Sequence, residues 1–590
     1  MELDSADLGF RGRGIRLGGM VPLIDGVPAE PAAVEVERDR ISWILDEGRA
    51  VLSLARIGDL IRLDICLEHP ASAPASLGLR FTEVEGVRAY LRNGYQSWDG
   101  SYFAAPGTPA GDVPPAKAAD LGFAMTALLP KGGEGGAIML GFTRHDRYQS
   151  RLRFAGSSEC MILDIETLFD GIPQNGTLFA EPLILFEDDA VEPALRRWSQ
   201  IVAAESPLAP RIPKRRITGW CSWYNLYAAI DEASILEHLE AARSFRDRHR
   251  VPLDIFQIDD GFTPEMGDWL DVKPQFPRGM APLLAEVEAA GFTPGLWIAP
   301  FLVGNRSRLC AEHPDWLVQA VGGTGPLVHA RFYGEFRWHK RSEEYHVLDI
   351  THPEAEAFIR KVFRTWRHIW GARYFKTDFM LAGIEYGPDT AHWHQGGLTR
   401  VAIWRRMGRL IREEIGDALW LGCGCPLWAS VGLVDAVRVG RDVGVSWAGD
   451  YSAESLLRDL VARNHASGIL WQADPDCILL RERFHELTDA QVRSLALFAG
   501  LSGGVLMTSD KLDELGPDRA ALFAGLLRAE IDGCSFPAAG TDAGLIVQEV
   551  QRNGRRVATN VFNASAEPQP FARGKMLAPF ESVVDGLAGL

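Results

Sequence analysis

The chain has 590 residues and a formal net charge of −17 at pH 7, and 47% of it is hydrophobic and 24% charged. This length predicts about two to four domains, and the composition is typical of a globular protein. The acidic charge argues against nucleic acids and anionic membranes as partners, because both select a basic face.

The N-terminal residues are acidic and lack the apolar core of a signal peptide. The longest apolar candidate for a membrane span, residues 494–507, is too short and contains glycine. The eight cysteines are scattered, mostly in apolar runs, which indicates reduced thiols and no disulfide framework. We therefore expect a cytoplasmic protein with no membrane partner.

Short runs of β-forming residues, broken by Gly, Pro, Asn and Asp, fill the chain from about residue 13 to 200. No long stretch of helical periodicity interrupts them before about residue 190. This pattern predicts an antiparallel β-sandwich. A helical segment near 190–204 and a proline-rich stretch follow, so we place the N-terminal β-sandwich domain at 1–205.

Short β runs then alternate with amphipathic helices, which is the pattern of a parallel sheet with crossover connections. Eight such units over residues 206–512 match a central (β/α)8 TIM barrel, although a doubly wound open sheet would give similar runs. Polar or aromatic residues lie at the C-terminal ends of the runs, where active sites of that fold are found. The runs are 217–223, 253–260, 293–299, 374–379, 419–423, 436–442, 468–474 and 504–510.

The connection between the third and fourth runs, residues 302–352, is unusually long and holds several aromatic residues. A loop of this length in a barrel is usually functional, so it is either a partial lid over a site or an ordinary surface excursion.

The end of the chain returns to β-strand texture. Residues 546–562 form two alternating runs around Asn553-Gly554, which is a hairpin signal. We therefore predict a small C-terminal antiparallel β domain at 513–590, which makes the chain a multidomain α/β protein.

Six carboxylates end the predicted barrel strands. Glycoside hydrolysis needs two carboxyls across one bond, but each of these residues taken alone is more often a hydrogen-bond acceptor, and the residues themselves do not rank them. Lys376 lies two residues before one of them and, by strand alternation, on the same side. The six are Asp259, Asp260, Asp378, Asp442, Asp474 and Asp510.

Seven stretches form a recognisable set: NGYQSW at 93–98, GWCSWY at 219–224, FQIDDGF at 256–262, GLWIAPF at 295–301, YFKTDF at 374–379, LGCGCP at 421–426 and VRVGRD at 437–442. In this order they resemble the α-galactosidases of glycoside hydrolase family 36, in the clan shared with family 27. The resemblance covers nearly the whole chain, including the order of sandwich, barrel and small β domain.

The resemblance implies a retaining exo-glycosidase that releases terminal α-linked galactose by double displacement, with Asp378 as nucleophile and Asp442 as acid/base. It implies further that Asp259 and Asp260 bind the galactose 4- and 6-hydroxyls and that Lys376 binds the neighbouring ring hydroxyls. Arg438 and Cys423 would contact the region of the 2-hydroxyl. The implied aromatic wall consists of Trp223, Tyr224 and Trp297, and Tyr95 or Trp98 would close it on one side. The family often has Trp where this chain has Tyr95.

The charges around these carboxylates agree with the implied roles in part. Asp378 beside Lys376 should stay ionised, as a nucleophile must. Asp442 follows Arg441 and lies four residues after Arg438, which alone would keep it ionised too. A general acid needs a raised pKa. The family interpretation therefore requires that the charge of Asp378 outweighs those arginines, or that they point away.

Other functions stay open at this point. The same mechanism could act on an α-N-acetylgalactosaminide, an α-glucoside or a β-L-arabinopyranoside, or transfer galactose to another sugar. A catalytically silent galactoside-binding protein is the non-enzymatic alternative. The expected partner is a small-molecule or oligosaccharide substrate, and only the resemblance suggests a homo-oligomer. We assign no metal and no cofactor, since Cys423-x-Cys425 and His392-x-His394 lack further ligands.

Overall fold

The structure is a computed structural model that describes most of the chain. The described residues are 2–4, 7–70, 72–108, 120–132, 135–172, 176–323, 325–332, 341–388, 390–449, 452–483, 485–541, 544–571 and 575–587. Among them we find no helix with the length and hydropathy of a membrane span.

Two antiparallel sheets face each other in the first third of the chain, as the strand pattern predicts. Inward side chains of both, such as Leu17 in one and Leu52 in the other, are buried in one apolar core. The first sheet contains Glu2–Asp4, Gly9–Gly12, Ile15–Ile24, Val27–Pro28, Ser76–Glu85, Leu121–Phe123, Gln149–Gly156 and Met161–Leu168. The second contains Ala33–Val36, Arg40–Ile44, Arg49–Ile57, Leu60–Glu68, Val87–Arg92, Tyr102–Ala104, Met125–Pro130, Ala137–Phe142, Leu178–Phe179 and Leu183–Asp188.

The strands Met125–Pro130 and Ala137–Phe142 of the second sheet are buried on both faces. In the strand Ala137–Phe142, Leu140 faces the sandwich core, whereas Met139 belongs to the core that continues into the barrel. The helix Val191–Glu205 covers this outer face, and its Trp198 donates a hydrogen bond to a carbonyl of the strand at 3.0 Å. The sandwich is thus packed on the barrel through a continuous apolar layer.

Parallel strands form a TIM-barrel-like sheet in the middle of the chain, and each of the eight predicted runs contains one. The seventh is interrupted: Gln472–Asp474 pairs with the sixth strand and Cys477–Ile478 with the eighth, so this segment closes the ring. The other barrel strands are Thr218–Cys221, Ile255–Ile258, Thr293–Ile298, Tyr374–Thr377, Leu419–Gly422, Ala436–Arg438 and Leu506–Thr508.

Helices connect the barrel strands. Their starts carry capping residues; Thr488, for example, accepts a hydrogen bond from the backbone of Gln491 in a capping box. The α-helices are Trp223–Leu226, Glu232–His249, Met280–Ala289, Arg308–Glu312, Pro353–Arg364, Arg400–Ile415, Ala453–Arg463, Asp489–Gly500 and Pro517–Arg528. Thr365–Trp370 is a π-helical turn, and Pro314–Trp316, Met380–Gly383, Trp428–Ser430 and Asn464–Ala466 are 3-10 turns.

The long connection after the third strand contains a small antiparallel sheet of Leu302–Gly304, Glu344–Val347 and Val328–Arg331. Residues 324 and 333–340, which fall in the predicted lid, lie outside the described part of the chain. Nearby, Gln319–Ala320 pairs with Ala391–His392.

The C-terminal region contains the predicted hairpin, with Leu545–Arg552 antiparallel to Arg555–Asn563. Before it, the helix Pro517–Arg528 packs Phe523 against Phe245 of a barrel helix, with ring centroids 5.6 Å apart. The other strands of the region are Gly533–Ser535, Ser582–Asp585, Gln569–Phe571 and Lys575–Leu577.

Candidate active site

The predicted catalytic and binding carboxylates all follow the last residue of a barrel strand. Asp259 and Asp260 come after the second strand, Asp378 after the fourth and Asp442 after the sixth. Strands of a parallel barrel open their C-terminal ends at one face, so these side chains gather at a single mouth.

Asp378 is held by its surroundings in one orientation. One carboxylate oxygen accepts a hydrogen bond from Trp297 Nε1 at 3.1 Å, and the other accepts one from the backbone N–H of Phe379 at 2.8 Å. Phe379 has a left-handed φ of 51°, which costs a non-glycine residue free energy and is often found at functional sites. Asp378 is thus a buried, oriented carboxylate with its neighbouring backbone under strain.

Lys376 binds Asp259 and not the neighbouring Asp378. Its Nζ lies 2.9 Å from Asp259 Oδ2, an oxygen that also accepts from Gln257 at 2.6 Å and from the Cys221 thiol at 3.3 Å. Burial alone would lower the pKa of Lys376, but the Asp259 carboxylate together with Cys221 and Cys423 raises that pKa well above its usual value. Lys376 and Asp259 therefore form a charged, buried pair.

The two carboxylate oxygens of Asp260 differ in their hydrogen bonding. Its Oδ1 accepts from Arg341 Nη1 at 2.7 Å, while its buried Oδ2 has no hydrogen-bond partner among the described residues. Leaving such a group unsatisfied costs about 1–3 kcal/mol or more for a charge. A ligand hydroxyl is a natural donor to this oxygen, and Arg341 comes from the long connection predicted as a lid.

Arg438 connects three carboxylates at the end of the sixth strand. Its Nη1 donates to Asp442 at 3.1 Å, its Nε to Asp474 at 3.1 Å and its Nη2 to Asp476 at 2.8 Å. Burial by itself would lower the pKa of Arg438, but Asp476, Cys423 and Asp474 together raise it well above its usual value. The arginine remains charged, and its charge is shared among several acids.

The surroundings of Asp442 favour its protonated form. Partial burial raises its pKa to about 6. Arg438 and Lys376 oppose this shift, and the negative charges of Asp476 and Asp378 support it. Its side chain is 37% exposed, so a leaving-group oxygen can reach it. The neighbouring Arg441 donates from Nε to the carbonyl of Trp98 at 3.2 Å.

The first domain contributes Trp98 to the mouth. Its ring meets Phe379, the residue after Asp378, edge to face at 5.0 Å. The loop that carries it is bound to the barrel by backbone hydrogen bonds, including one of 3.2 Å from the Ser97 N–H to the Cys425 carbonyl. Tyr95 lies elsewhere: it is buried, with its ring 5.1 Å from Phe123.

The remaining predicted contact residues surround this centre. Tyr224 is buried and its hydroxyl donates to Asp476, whereas Trp223 is half-buried and packs edge to face on Tyr227 at 5.3 Å. Cys423 is fully buried, and burial together with the charge of Asp378 raises the pKa of its thiol well above the usual value. Cys423 is therefore a neutral thiol near the Asp378 carboxylate.

Comparisons with known proteins show that part of the chain is similar to α-galactosidases. A family model described as Melibiase matches residues 220–382, which include Asp259, Lys376 and Asp378. Alpha-galactosidase 2 of Pediococcus pentosaceus is 29% identical over 110 residues, 18% of this chain and 14% of its own length. The match therefore spans only about a seventh of that relative.

Solved structures extend the likeness beyond the barrel. An α-galactosidase from Thermus thermophilus, solved in complex with p-nitrophenyl α-D-galactopyranoside, is 25% identical with a TM-score of 0.62, over 83% of this chain and 95% of that one. An α-galactosidase from Lactobacillus brevis has a TM-score of 0.63 over 97% of this chain and 85% of its own, and at 14% identity it shows a shared fold alone.

The sequence analysis did not single out two residues of this site, Arg341 and Asp476. Arg341 lies in a long connection with no pattern that singles out one arginine. Asp476 follows Asp474 in an Asp-Pro-Asp triplet just after the seventh strand. A second acid two residues beyond a strand end was the available signal for it.

We expect Trp98→Ala to raise KM for an α-galactoside by roughly 10-fold with little change in kcat, because it removes an aromatic surface from the mouth and leaves the carboxylates in place. Steady-state kinetics and thermal unfolding would measure this. Phe179→Ala is the matched control, since Phe179 is an exposed aromatic of the same domain. An unchanged KM in Trp98→Ala would contradict a role for this wall.

Proposed function

We propose that this chain is a retaining exo-α-galactosidase in which Asp378 is the nucleophile and Asp442 the acid/base. The observation that carries the proposal is the contrast between the two carboxyls. Asp378 is fixed by two N–H donors, whereas the pKa of Asp442 is raised to about 6. A carboxyl with a raised pKa beside a second carboxyl held in one orientation is the pattern of paired acid and nucleophile.

The first step forms a covalent intermediate. Asp378 attacks the anomeric carbon while protonated Asp442 gives its proton to the glycosidic oxygen, the C–O bond breaks and the alcohol departs. In the second step ionised Asp442 takes a proton from water, the water oxygen attacks the same carbon, and the bond to Asp378 breaks. Two inversions leave the released sugar with the α configuration of the substrate.

Galactose is held, in this proposal, by hydroxyl acceptors at one side of the nucleophile. The free Oδ2 of Asp260 and the charged pair of Lys376 and Asp259 offer two acceptors and a donor within a buried site. Charge-assisted hydrogen bonds of this kind are strong and directional. The sugar bound in the Thermus thermophilus relative supports galactose as the first substrate to test.

The direct test is the initial rate of hydrolysis of p-nitrophenyl α-galactoside beside the corresponding α-N-acetylgalactosaminide, α-glucoside and β-L-arabinopyranoside. We expect the α-galactoside to be preferred and proton NMR to show α-galactose as the first product. Preference for another sugar would change the substrate and keep the mechanism, whereas β-galactose as first product would overturn retention. Calorimetric binding of galactose with no hydrolysis at all would indicate a binding protein.

We expect kcat/KM for an unactivated galactoside such as melibiose to fall as the pH rises above about 6. The sign follows from the role of Asp442: glycosylation needs its protonated form, which is lost above its pKa of about 6. Profiles from about pH 4 to about pH 9 at constant ionic strength would show this limb. A constant kcat/KM up to about pH 8 would contradict it.

A further inference from the structure

Asp476 occupies an unusual position in the barrel. It has a left-handed φ of 76° and separates the two halves of the interrupted seventh strand. Its side chain is buried, and the sequence interpretation gave it no role. A buried carboxylate in strained backbone persists only when its surroundings hold it there.

Four donors hold the Asp476 carboxylate. Oδ1 accepts from Arg438 Nη2 at 2.8 Å and from the backbone N–H of Cys477 at 2.7 Å. Oδ2 accepts from the backbone N–H of Val443 at 2.8 Å and from the Tyr224 hydroxyl. Two of these donors, Arg438 and Val443, lead directly to Asp442.

The link to Asp442 has two independent parts. Val443 follows Asp442 in the chain, so its hydrogen bond to Asp476 fixes the backbone next to the acid/base. Arg438 donates from one Nη to Asp442 at 3.1 Å and from the other to Asp476, so its guanidinium bridges the two carboxylates. Asp476 therefore contacts both the backbone next to Asp442 and the guanidinium that binds the Asp442 carboxylate.

The charges that face Asp442 agree with this link. They come from Arg438 on the sixth strand, Asp476 at the break in the seventh, Lys376 on the fourth and Asp378 just after it. The buried Tyr224 phenol and Cys423 thiol also face Asp442, from the segments after the first and fifth strands. Asp474 also binds Arg438, through Nε at 3.1 Å, but makes no hydrogen bond to the backbone at Asp442 among the described residues.

We propose that Asp476 is a positioning residue for the acid/base: by binding Arg438 and the Val443 N–H it holds Asp442 in place and keeps it able to carry a proton. The inference rests on the proposed function of Asp442. The reacting atoms are not touched by Asp476, which acts through Arg438 and the backbone.

Asp476→Asn removes the charge and keeps the shape. Arg438 is then freed to bind Asp442 more strongly, and one nearby negative charge is lost, so Asp442 loses its proton more easily. We expect the basic limb of the kcat/KM profile to move by about one unit to lower pH. At pH 7 a shift of one unit lowers the protonated fraction of Asp442 about 10-fold, so we expect kcat/KM to fall about 10-fold for melibiose and clearly less for p-nitrophenyl α-galactoside, whose leaving group needs little protonation.

Asp474→Asn is the matched control, because it removes a buried carboxylate from the same arginine without touching the backbone at Asp442. If Asp476 only neutralised Arg438, Asp476→Asn and Asp474→Asn would behave alike. Asp474→Asn also frees part of Arg438, but it leaves the Val443 N–H bound to Asp476, so we expect it to move the pH limb and the ratio between the two substrates clearly less than Asp476→Asn does. Equal shifts in both variants would overturn the proposal.

Asp476→Glu tests the position of the carboxylate separately from its charge. It also replaces Asp476→Asn as the test if that variant does not fold. It keeps the negative charge but moves the carboxylate by one methylene, so we expect the pH limb to stay and kcat/KM for melibiose to fall. Wild-type kinetics in Asp476→Glu would overturn the positioning role. Thermal unfolding of each variant shows whether the fold is retained.

The pKa of Asp442 can be measured without a substrate, so this inference can be tested separately from the proposed function. In protein labelled with 13C-aspartate, the Asp442 carboxyl signal is assigned by its loss in Asp442→Asn and then titrated. A lower pKa in Asp476→Asn than in wild type supports the link even if no galactoside is hydrolysed. An unchanged pKa overturns it whatever the enzyme hydrolyses.

Discussion

Asp378→Asn should lose at least about 10³-fold in kcat on p-nitrophenyl α-galactoside, because an amide cannot form the glycosyl ester on which double displacement depends. The amide is isosteric, and its oxygen can still accept the hydrogen bond from Trp297 or Phe379, so the fold should be retained. Steady-state rates and thermal unfolding, run beside wild type, measure both parts.

Asp510→Asn is the matched control for that variant. Asp510 also ends a barrel strand and is buried, but its Oδ2 accepts from the backbone N–H of Leu480, and we expect its substitution to change kcat by less than about threefold. Azide gives a positive test: in Asp378→Gly it can attack the anomeric carbon from the vacated side and should yield the β-galactosyl azide. An active Asp378→Asn, or azide without product, would contradict the nucleophile.

The strands and their order were predictable because they depend on local patterns. The run at 253–260, for example, is apolar until it ends in two aspartates, and the structure forms a strand over Ile255–Ile258 with both acids just beyond it. The break in the seventh strand was not predictable. A left-handed aspartate is unfavourable in isolation, and donors from the first, sixth and seventh strand ends hold Asp476 there.

The positions of the carboxylates were predictable, but their partners were not. Sequence spacing suggested that Lys376 acts on Asp378, two residues away, yet it binds Asp259 on the second strand. Inward side chains of a barrel meet those of alternate strands in shared layers, so the second and fourth strands meet across the interior. Neighbours along a strand are therefore a poor guide to charge pairing at the mouth.

The effect of the arginines near Asp442 depends on their contacts with residues distant in the sequence. Arg438 does reach Asp442, as its spacing of four residues suggested, but Asp474 and Asp476 share its charge. Arg441, the adjacent cation, donates to the first domain at Trp98. Neither competing acid is near in sequence, so one chain segment alone would suggest a far more ionised Asp442 than the assembled site supports.

Asp442→Asn should separate substrates by their leaving groups. We expect kcat/KM to fall about 10³-fold or more for melibiose, because the departing alkoxide is no longer protonated, and much less for p-nitrophenyl α-galactoside, which leaves as a stabilised phenolate. The basic limb near pH 6 should disappear, since the group whose pKa is raised to about 6 is gone. Rates on both substrates across the pH range measure each part.

The second step gives Asp442 a signature that differs from that of Asp378. Without its base, Asp442→Asn should accumulate the galactosyl ester on Asp378, and azide, which needs no deprotonation, should raise kcat on the aryl substrate. Attack on that ester inverts it and yields the α-galactosyl azide, whereas Asp378→Gly yields the β product. Because the two variants differ only in which carboxyl is missing, opposite anomers would assign both roles. The same anomer from both, or equal losses on the two substrates, would contradict the pairing of Asp442 as acid/base with Asp378 as nucleophile.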